Sequence, residues 1–202
     1  MIYPLFPVPV YVDTNKNLVK DTLNMFSFWE KQERQLNASG FFTTLKDYGG
    51  LSAVNTPDIS NLSETKILIE YIKQSMCNMH KEISLSTNYD IVVSNLWLNE
   101  MPGNTEHPKH NHYGYSYSGC FYVSCPNDSG KIMFHSLNHE IGNQKSYHVT
   151  EHNVFNSNFW WIPVEPGTIA IWPSYLKHSV PVQNFEGVRR SIAFDVTLYA
   201  KQ

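Results

Sequence analysis

The segment "EHPKHNHYGYSYSGCFYV" (106–123) holds three of the chain's nine histidines. His110 and His112 are two residues apart. Side chains alternate along a strand at about 3.3 Å per residue, so both point to one face with Cα atoms about 6.5–7 Å apart. Two imidazoles so placed can reach one metal ion. His107 is an odd number of residues from both and on a continuous strand faces away, and the His-Pro step at 107–108 reads as the loop before the strand. A third ligand is needed, and His178 is the strongest candidate, 66 residues after His112 in "PGTIAIWPSYLKHSVPV". There "EPG" turns into the strand "TIAIW", and "PSYLKH" delivers the histidine to the start of another strand. Glu106 is an alternative oxygen ligand outside this pattern.

Eleven residues beyond His178 lies Arg189, in "GVRRSIAFDV". Arg189, Ser191 and Ala193 share one face of a strand, and Arg190 and Ile192 share the other. A guanidinium and a hydroxyl two residues apart on an inward face form a clamp for a carboxylate. An inward arginine is costly unless an anion meets it. The plainer alternatives are surface histidines and a surface arginine on an edge strand. A same-face pair, a distant histidine at a strand start and an arginine at a fixed offset together argue for a site. His148 and His152 read as surface residues.

The elements that must position these groups follow from periodicity. "YPLFPVPVYV" (3–12) reads as an edge segment, because its prolines bar it from a central strand. "NKNLVKDTLNMFSFWEKQERQ" is helical, with Val19, Leu23, Phe26 and Trp29–Glu30 at three/four spacing. Residues 37–61 are rich in turn chemistry. Leu68, Ile72, Met76, Met79 and Ile83 form the apolar stripe of a second helix, with Ser63 a plausible N-cap. After Thr87, short β-branched and aromatic runs alternate with turns, as expected of a sandwich, jelly roll or barrel. The reading is a mainly β, α+β single domain over 1–202. An edge strand and helices (1–88) pack on a β-core (89–202).

Composition sets the outer bounds. The 202 residues are 42% hydrophobic and 14% aromatic, enough for a real core, and carry a formal net charge of −3. Basic residues are not clustered, so no nucleic-acid footprint is expected. No run of eighteen apolar residues is present, so no membrane span is expected, and the proline-rich start does not read as a signal peptide. Cys77, Cys120 and Cys125 are odd in number and lack a CxxC spacing; they fit a reduced, cytoplasmic compartment as small core residues. The oligomeric state stays open.

His-x-(acid or His), a distant His and then Arg-x-Ser resembles the pattern of the Fe(II)/2-oxoglutarate-dependent oxygenases. The match is closer to a branch of that superfamily found in phages and marine bacteria, in "LFPVPVYV", "HNHYGYSYSGCFYV", "PGTIAIWPSYLKHSVPV" and "RRSIAFDV". It is strong over about residues 92–198 and weak in the helices. The resemblance implies a double-stranded β-helix (jelly-roll, cupin-like) core with iron at one mouth. His110, His112 and His178 would be the iron ligands. Arg189 would grip the distal carboxylate of 2-oxoglutarate, assisted by Ser191.

This chain departs from the superfamily at one ligand. The usual set is two histidines and one carboxylate, and the acid position here is His112, so the site carries one more positive charge. The activity implied is oxidation of a small-molecule or protein substrate, coupled to conversion of 2-oxoglutarate to succinate. Tyr113, Tyr115, Tyr117 and Trp172 are candidate walls of the substrate mouth, and Tyr122 a candidate partner of the cosubstrate carboxylate. Two rivals stand beside this reading. One is a three-histidine cupin-like metalloprotein with other chemistry, which has no use for Arg189. The other is a phage or host binding module with a vestigial site.

Overall fold

The computed structural model describes residues 6–36, 54–55, 58–137 and 149–201. In chain order the elements are β1 (Tyr11–Thr14), α1 (Val19–Leu36), β2 (Val54–Asn55), α2 (Lys66–Glu82), β3 (Tyr89–Pro102), β4 (His107–His110) and β5 (Tyr117–Ser124). After these come β6 (Lys131–His135), β7 (Phe159–Pro163), β8 (Thr168–Pro173), β9 (His178–Val180) and β10 (Val188–Ala200). A six-stranded sheet in the order β1-β8-β5-β10-β3-β2 faces a four-stranded sheet in the order β4-β9-β6-β7. Successive strands cross between the two sheets, β3 to β4 to β5 to β6, and every pairing is antiparallel. This is a jelly roll, one of the architectures that the short-strand texture allows and the one that the resemblance implies. β1 lies at the sheet edge, where its preceding prolines put it.

The large sheet is buried on both faces, and strand alternation divides its residues. On β5, β8 and β10, Phe121, Val123, Ile169, Ile171, Ile192, Phe194 and Val196 join the core shared with the helices. Their neighbours Cys120, Tyr122, Ala170 and Trp172 join a second core between the sheets, with Ile132 and Phe134 of β6 opposite. At Gly119 of β5 an added Cβ would lie 2.2 Å from the Phe194 ring and 2.8 Å from the Ala170 carbonyl oxygen. Only glycine allows those strands to sit this close.

Both helices cover the outer face of the large sheet. α2 buries Leu68, Ile72, Met76 and Met79 as its spacing predicts, whereas Ile83 stands just past the helix end, 37% exposed. A 3-10 turn at Ser63–Thr65 opens α2, and Ser63 bonds to Glu64 rather than capping the helix. On α1 and the 3-10 turn Lys16–Leu18 that leads into it, the buried stripe is Leu18, Thr22, Met25 and Phe26, and Leu23 is exposed. The face is rotated from the expected one because Thr22 is at home in the core: its hydroxyl donates to the carbonyls of Leu18 and Val19. Trp29 and Glu30 lie where side chains are outside the described residues, as does His148. No helix among the described residues is long and apolar enough to cross a membrane.

Candidate active site

The space between the sheets opens at one end into a cavity of about 280 Å³. β4 and β9 pair there with His110 directly opposite His178. His112 lies two residues beyond the end of β4, and its backbone N–H donates to the Ser174 carbonyl (3.0 Å), which ties it to the turn before β9. One ring nitrogen from each of His110, His112 and His178 lies within 4.8 Å of the others. Ring centroids are 4.3 Å apart for His110–His178, 5.1 Å for His110–His112 and 5.3 Å for His112–His178.

Hydrogen bonding settles which nitrogens are free. The Nδ1 of His110 meets the Pro108 carbonyl (2.7 Å), and that of His178 the Leu176 carbonyl (3.1 Å). The Nδ1 of His112 meets Oδ1 of Asp195 (2.7 Å). Carbonyls and carboxylates only accept, so each Nδ1 donates and each Nε2 is the nitrogen left to face a metal. This is the outer-shell arrangement that fixes tautomer and orientation in metal-binding histidines. Burial, reinforced by the neighbouring imidazoles, holds His178 down to about 3, and burial lowers His110 as well. The neutral imidazole is the metal-binding form. Trp97 stacks on His112 (5.8 Å, 28°), and Trp172 meets His178 edge-on (4.7 Å, 61°).

Deeper in the same cavity sit Arg189 and Ser191, 4% and 6% exposed. The Arg189 guanidinium lies over the Tyr122 ring at 4.9 Å. Its hydrogen bonds are long, 3.7 Å to Met101 Sδ and 3.5 Å to the Lys131 carbonyl, and its Nε is buried without a partner. No carboxylate among the described residues pairs with it. Arg190 turns the other way, bonds Glu100 at 2.6 Å and lies over Phe26 of α1. The strand register is therefore the one read from the sequence.

Several expectations change. His107 does not face away: it lines the cavity with its ring 4.5 Å from that of His110, and burial lowers it to about 4. The β4–β9 pairing shifts register between His107 and His110, and that irregularity resets the alternation. Tyr117 is not at the mouth; its hydroxyl donates to Nε2 of His80 on the helix side (3.2 Å). Tyr115 is held by Asn95 (2.6 Å), and Tyr113 is 81% exposed. Glu106 belongs neither to the histidine cluster nor to the cavity wall. The group missed outright is Asp195, which shares strand parity with Arg189, Ser191 and Ala193. A lone acid in the apolar run "SIAFDV" was its signal.

The family described as "Putative 2OG-Fe(II) oxygenase" matches residues 95–195, half of the chain. Among solved structures, this chain is similar to the non-heme alpha ketoglutarate dependent epimerase SnoN from nogalamycin biosynthesis. The TM-score is 0.63 at 10% identity, over 94% of this chain and 76% of that one. It is also similar to a prolyl-4-hydroxylase of Pseudomonas putida (TM-score 0.57, 11% identity, 96% and 95%). A third is an oxidoreductase of the 2OG-Fe(II) oxygenase family from Burkholderia pseudomallei (TM-score 0.51, 11% identity, 72% and 66%). This chain thus spans about two thirds of the length of the last. No curated protein sequence matches it. At such identities the structural likeness establishes the jelly-roll fold.

Proposed function

The chain belongs to the 2OG-Fe(II) oxygenase family, whose cofactors are iron(II) and 2-oxoglutarate, and we propose that His110, His112 and His178 hold the iron while Arg189 and Ser191 anchor the 2-oxoglutarate. The residues fit both groups. Three imidazoles with committed Nδ1 atoms would offer their three remaining nitrogens to one ion, and imidazole nitrogen is a ligand that suits iron(II). The observation that carries the cosubstrate is Arg189. A buried cation with one unpartnered nitrogen and only long hydrogen bonds lacks an anion. The distal carboxylate of a five-carbon dicarboxylate, with its keto-acid end at the histidines, meets that need in a cavity of this size.

When bound, iron(II) and 2-oxoglutarate would supply, with dioxygen as the oxidant, oxidation of a substrate C–H bond coupled to oxidative decarboxylation of the cosubstrate to succinate and carbon dioxide. The chain's residues position and exclude. Arg189 gives a bidentate, charge-assisted grip, and Ser191 adds one hydroxyl. Tyr122, fully buried beneath the guanidinium, fixes the plane of that grip. Trp97, Trp172 and Phe134 wall the histidines with apolar surface and keep water from the reacting end. The substrate, a small molecule or a protein side chain, meets the site at the histidine mouth.

A three-histidine metalloprotein without a cosubstrate has no use for a buried, unpaired Arg189, and this weighs against that reading. The free thiols Cys77, Cys120 and Cys125 support a reducing, cytoplasmic setting. The phage and marine branch is proposed on the four quoted sequence segments. The test is metal analysis combined with calorimetric titration of 2-oxoglutarate. One equivalent of iron and saturable 2-oxoglutarate binding are expected. Arg189→Ala is expected to weaken that binding at least tenfold, and Arg190→Ala to leave it unchanged. Equal losses in the two variants would overturn the assignment of the anchor.

A further inference from the structure

A site of two histidines and one carboxylate delivers a negative charge to its metal, and three neutral imidazoles do not. The structure nevertheless holds a carboxylate one bond further out. Asp195 lies on the interior face of β10 and is 3% exposed. Its Oδ1 accepts two short hydrogen bonds, from Nδ1 of His112 and from Oγ of Ser118, each 2.7 Å. Its inward direction follows the plain alternation of β10, since the β10–β3 register shift between Asp195 and Val196 skips a residue of β3, Ser94, and none of β10. No lysine or arginine among the described residues pairs with Asp195, whose ion-pair partner there is the His112 ring, and a buried carboxylate is costly unless it is compensated. A divalent ion on the far nitrogen of His112 compensates it through a single imidazole ring.

We propose that Asp195 is the acid of this metal site, displaced outward by one residue, and that His112 relays its charge to the ion. His112 and Asp195 together then replace the single carboxylate ligand, and the site as a whole carries the same charge as the usual triad. The inference rests on the metal-site reading above. It makes Asp195 a positioning and charge-supplying residue, not a ligand.

The experiment titrates Co(II) alone into five proteins: wild type, His110→Ala, Asp195→Asn, His112→Asp and the double variant His112→Asp/Asp195→Asn. Dissociation constants come from chelator competition and coordination from the Co(II) ligand-field spectrum. Asp195→Asn is expected to weaken binding 10- to 100-fold, the usual cost of losing an outer-shell partner. His112→Asp alone is expected to bind at least as poorly, because two carboxylates then face each other with no proton between them. The double variant is expected to recover to within about threefold of wild type, since the new amide donates to a carboxylate that is now itself the ligand. A merely structural role for Asp195 gives no such rescue. A double variant that binds no better than His112→Asp overturns the proposal, as does Asp195→Asn with wild-type affinity while His110→Ala loses the metal. Wild-type protein that takes up no Co(II) overturns the metal-site reading itself, and the proposal with it.

Discussion

Arg189→Met exchanges the buried guanidinium for an unbranched apolar side chain that fills much of the same space between Met101 and Tyr122. The cation it removes is 4% exposed, has two hydrogen bonds of 3.5 and 3.7 Å, and leaves Nε without a partner. Replacing buried charge by well-packed apolar groups is often worth about 1–4 kcal/mol in stability. The lost stacking of the guanidinium on Tyr122 at 4.9 Å gives back up to about 2 kcal/mol. The net expectation is a gain of about 1–2 kcal/mol in the ligand-free protein. For a chain of this size that is a rise in Tm of about 2–8 °C. The assay is thermal unfolding of metal-loaded wild type and variant, with and without 2-oxoglutarate. Saturating 2-oxoglutarate raises the wild-type Tm, by the equivalent of about 2.7 kcal/mol at a hundredfold excess over Kd, and does not move that of the variant. A variant destabilised by more than about 1 kcal/mol without ligand, or one that still responds to 2-oxoglutarate, would refute the reasoning.

The double substitution His110→Ala/His112→Ala is expected to abolish metal content, measured by elemental analysis, while the circular dichroism spectrum and cooperative melt persist, because both residues sit at the mouth, outside the core clusters. Metal-free protein is expected to lose stability as pH falls below 6.5. Burial keeps His178 neutral down to about 3 and His107 down to about 4, whereas the unfolded chain takes up those protons near 6.5. The native state thus binds fewer protons, stability rises with pH through this window, and each histidine costs about 2 kcal/mol at pH 5; urea unfolding in chelator at pH 7.5 and pH 5 measures the difference, and a flat profile contradicts the buried-neutral assignment. Arg190→Ala removes the half-buried ion pair with Glu100 and is expected to cost about 1 kcal/mol in urea unfolding, with 2-oxoglutarate affinity intact.

Strand parity made much of the site legible. On β10 the period of two assigned Arg189 and Ser191 to the interior and Arg190 to the other face, and the fold follows that assignment because β10 pairs in step with β3 there and the register shift against β5 between Arg190 and Ser191 skips a residue of β5, Val123, not of β10. Parity failed at His107 because a register shift of β4 against β9 lies between it and His110. Such shifts depend on the partner strand, which local sequence does not reveal. The inward face of Asp195 was readable by the same rule, but its partners His112 and Ser118 are 83 and 77 residues away in the chain, and local sequence does not reveal such contacts. On α1 the apolar count favoured Val19 and Leu23 over a stripe containing Thr22. The threonine wins because its hydroxyl is satisfied within its own helix, so its burial leaves no polar group stranded.

The alternation along β10 has a consequence for how such a protein can change. Residues 189, 191 and 193 face the cavity and 195 faces His112 beside it, and 190, 192, 194 and 196 face the helices or their core. Adjacent codons in this strand therefore answer to different selective pressures. Substitutions at the odd positions can retune ligand and substrate preference while the helix-packed side stays intact, and substitutions at the even positions adjust stability without altering the pocket. A single-residue insertion or deletion couples the two. It would still leave an arginine facing the cavity, because Arg189 and Arg190 are neighbours, but it would carry Ile192 and Phe194 inward and Ser191 and Asp195 into the hydrocarbon beneath the helices. Point substitution is the open route for drift in this strand, and length change is closed.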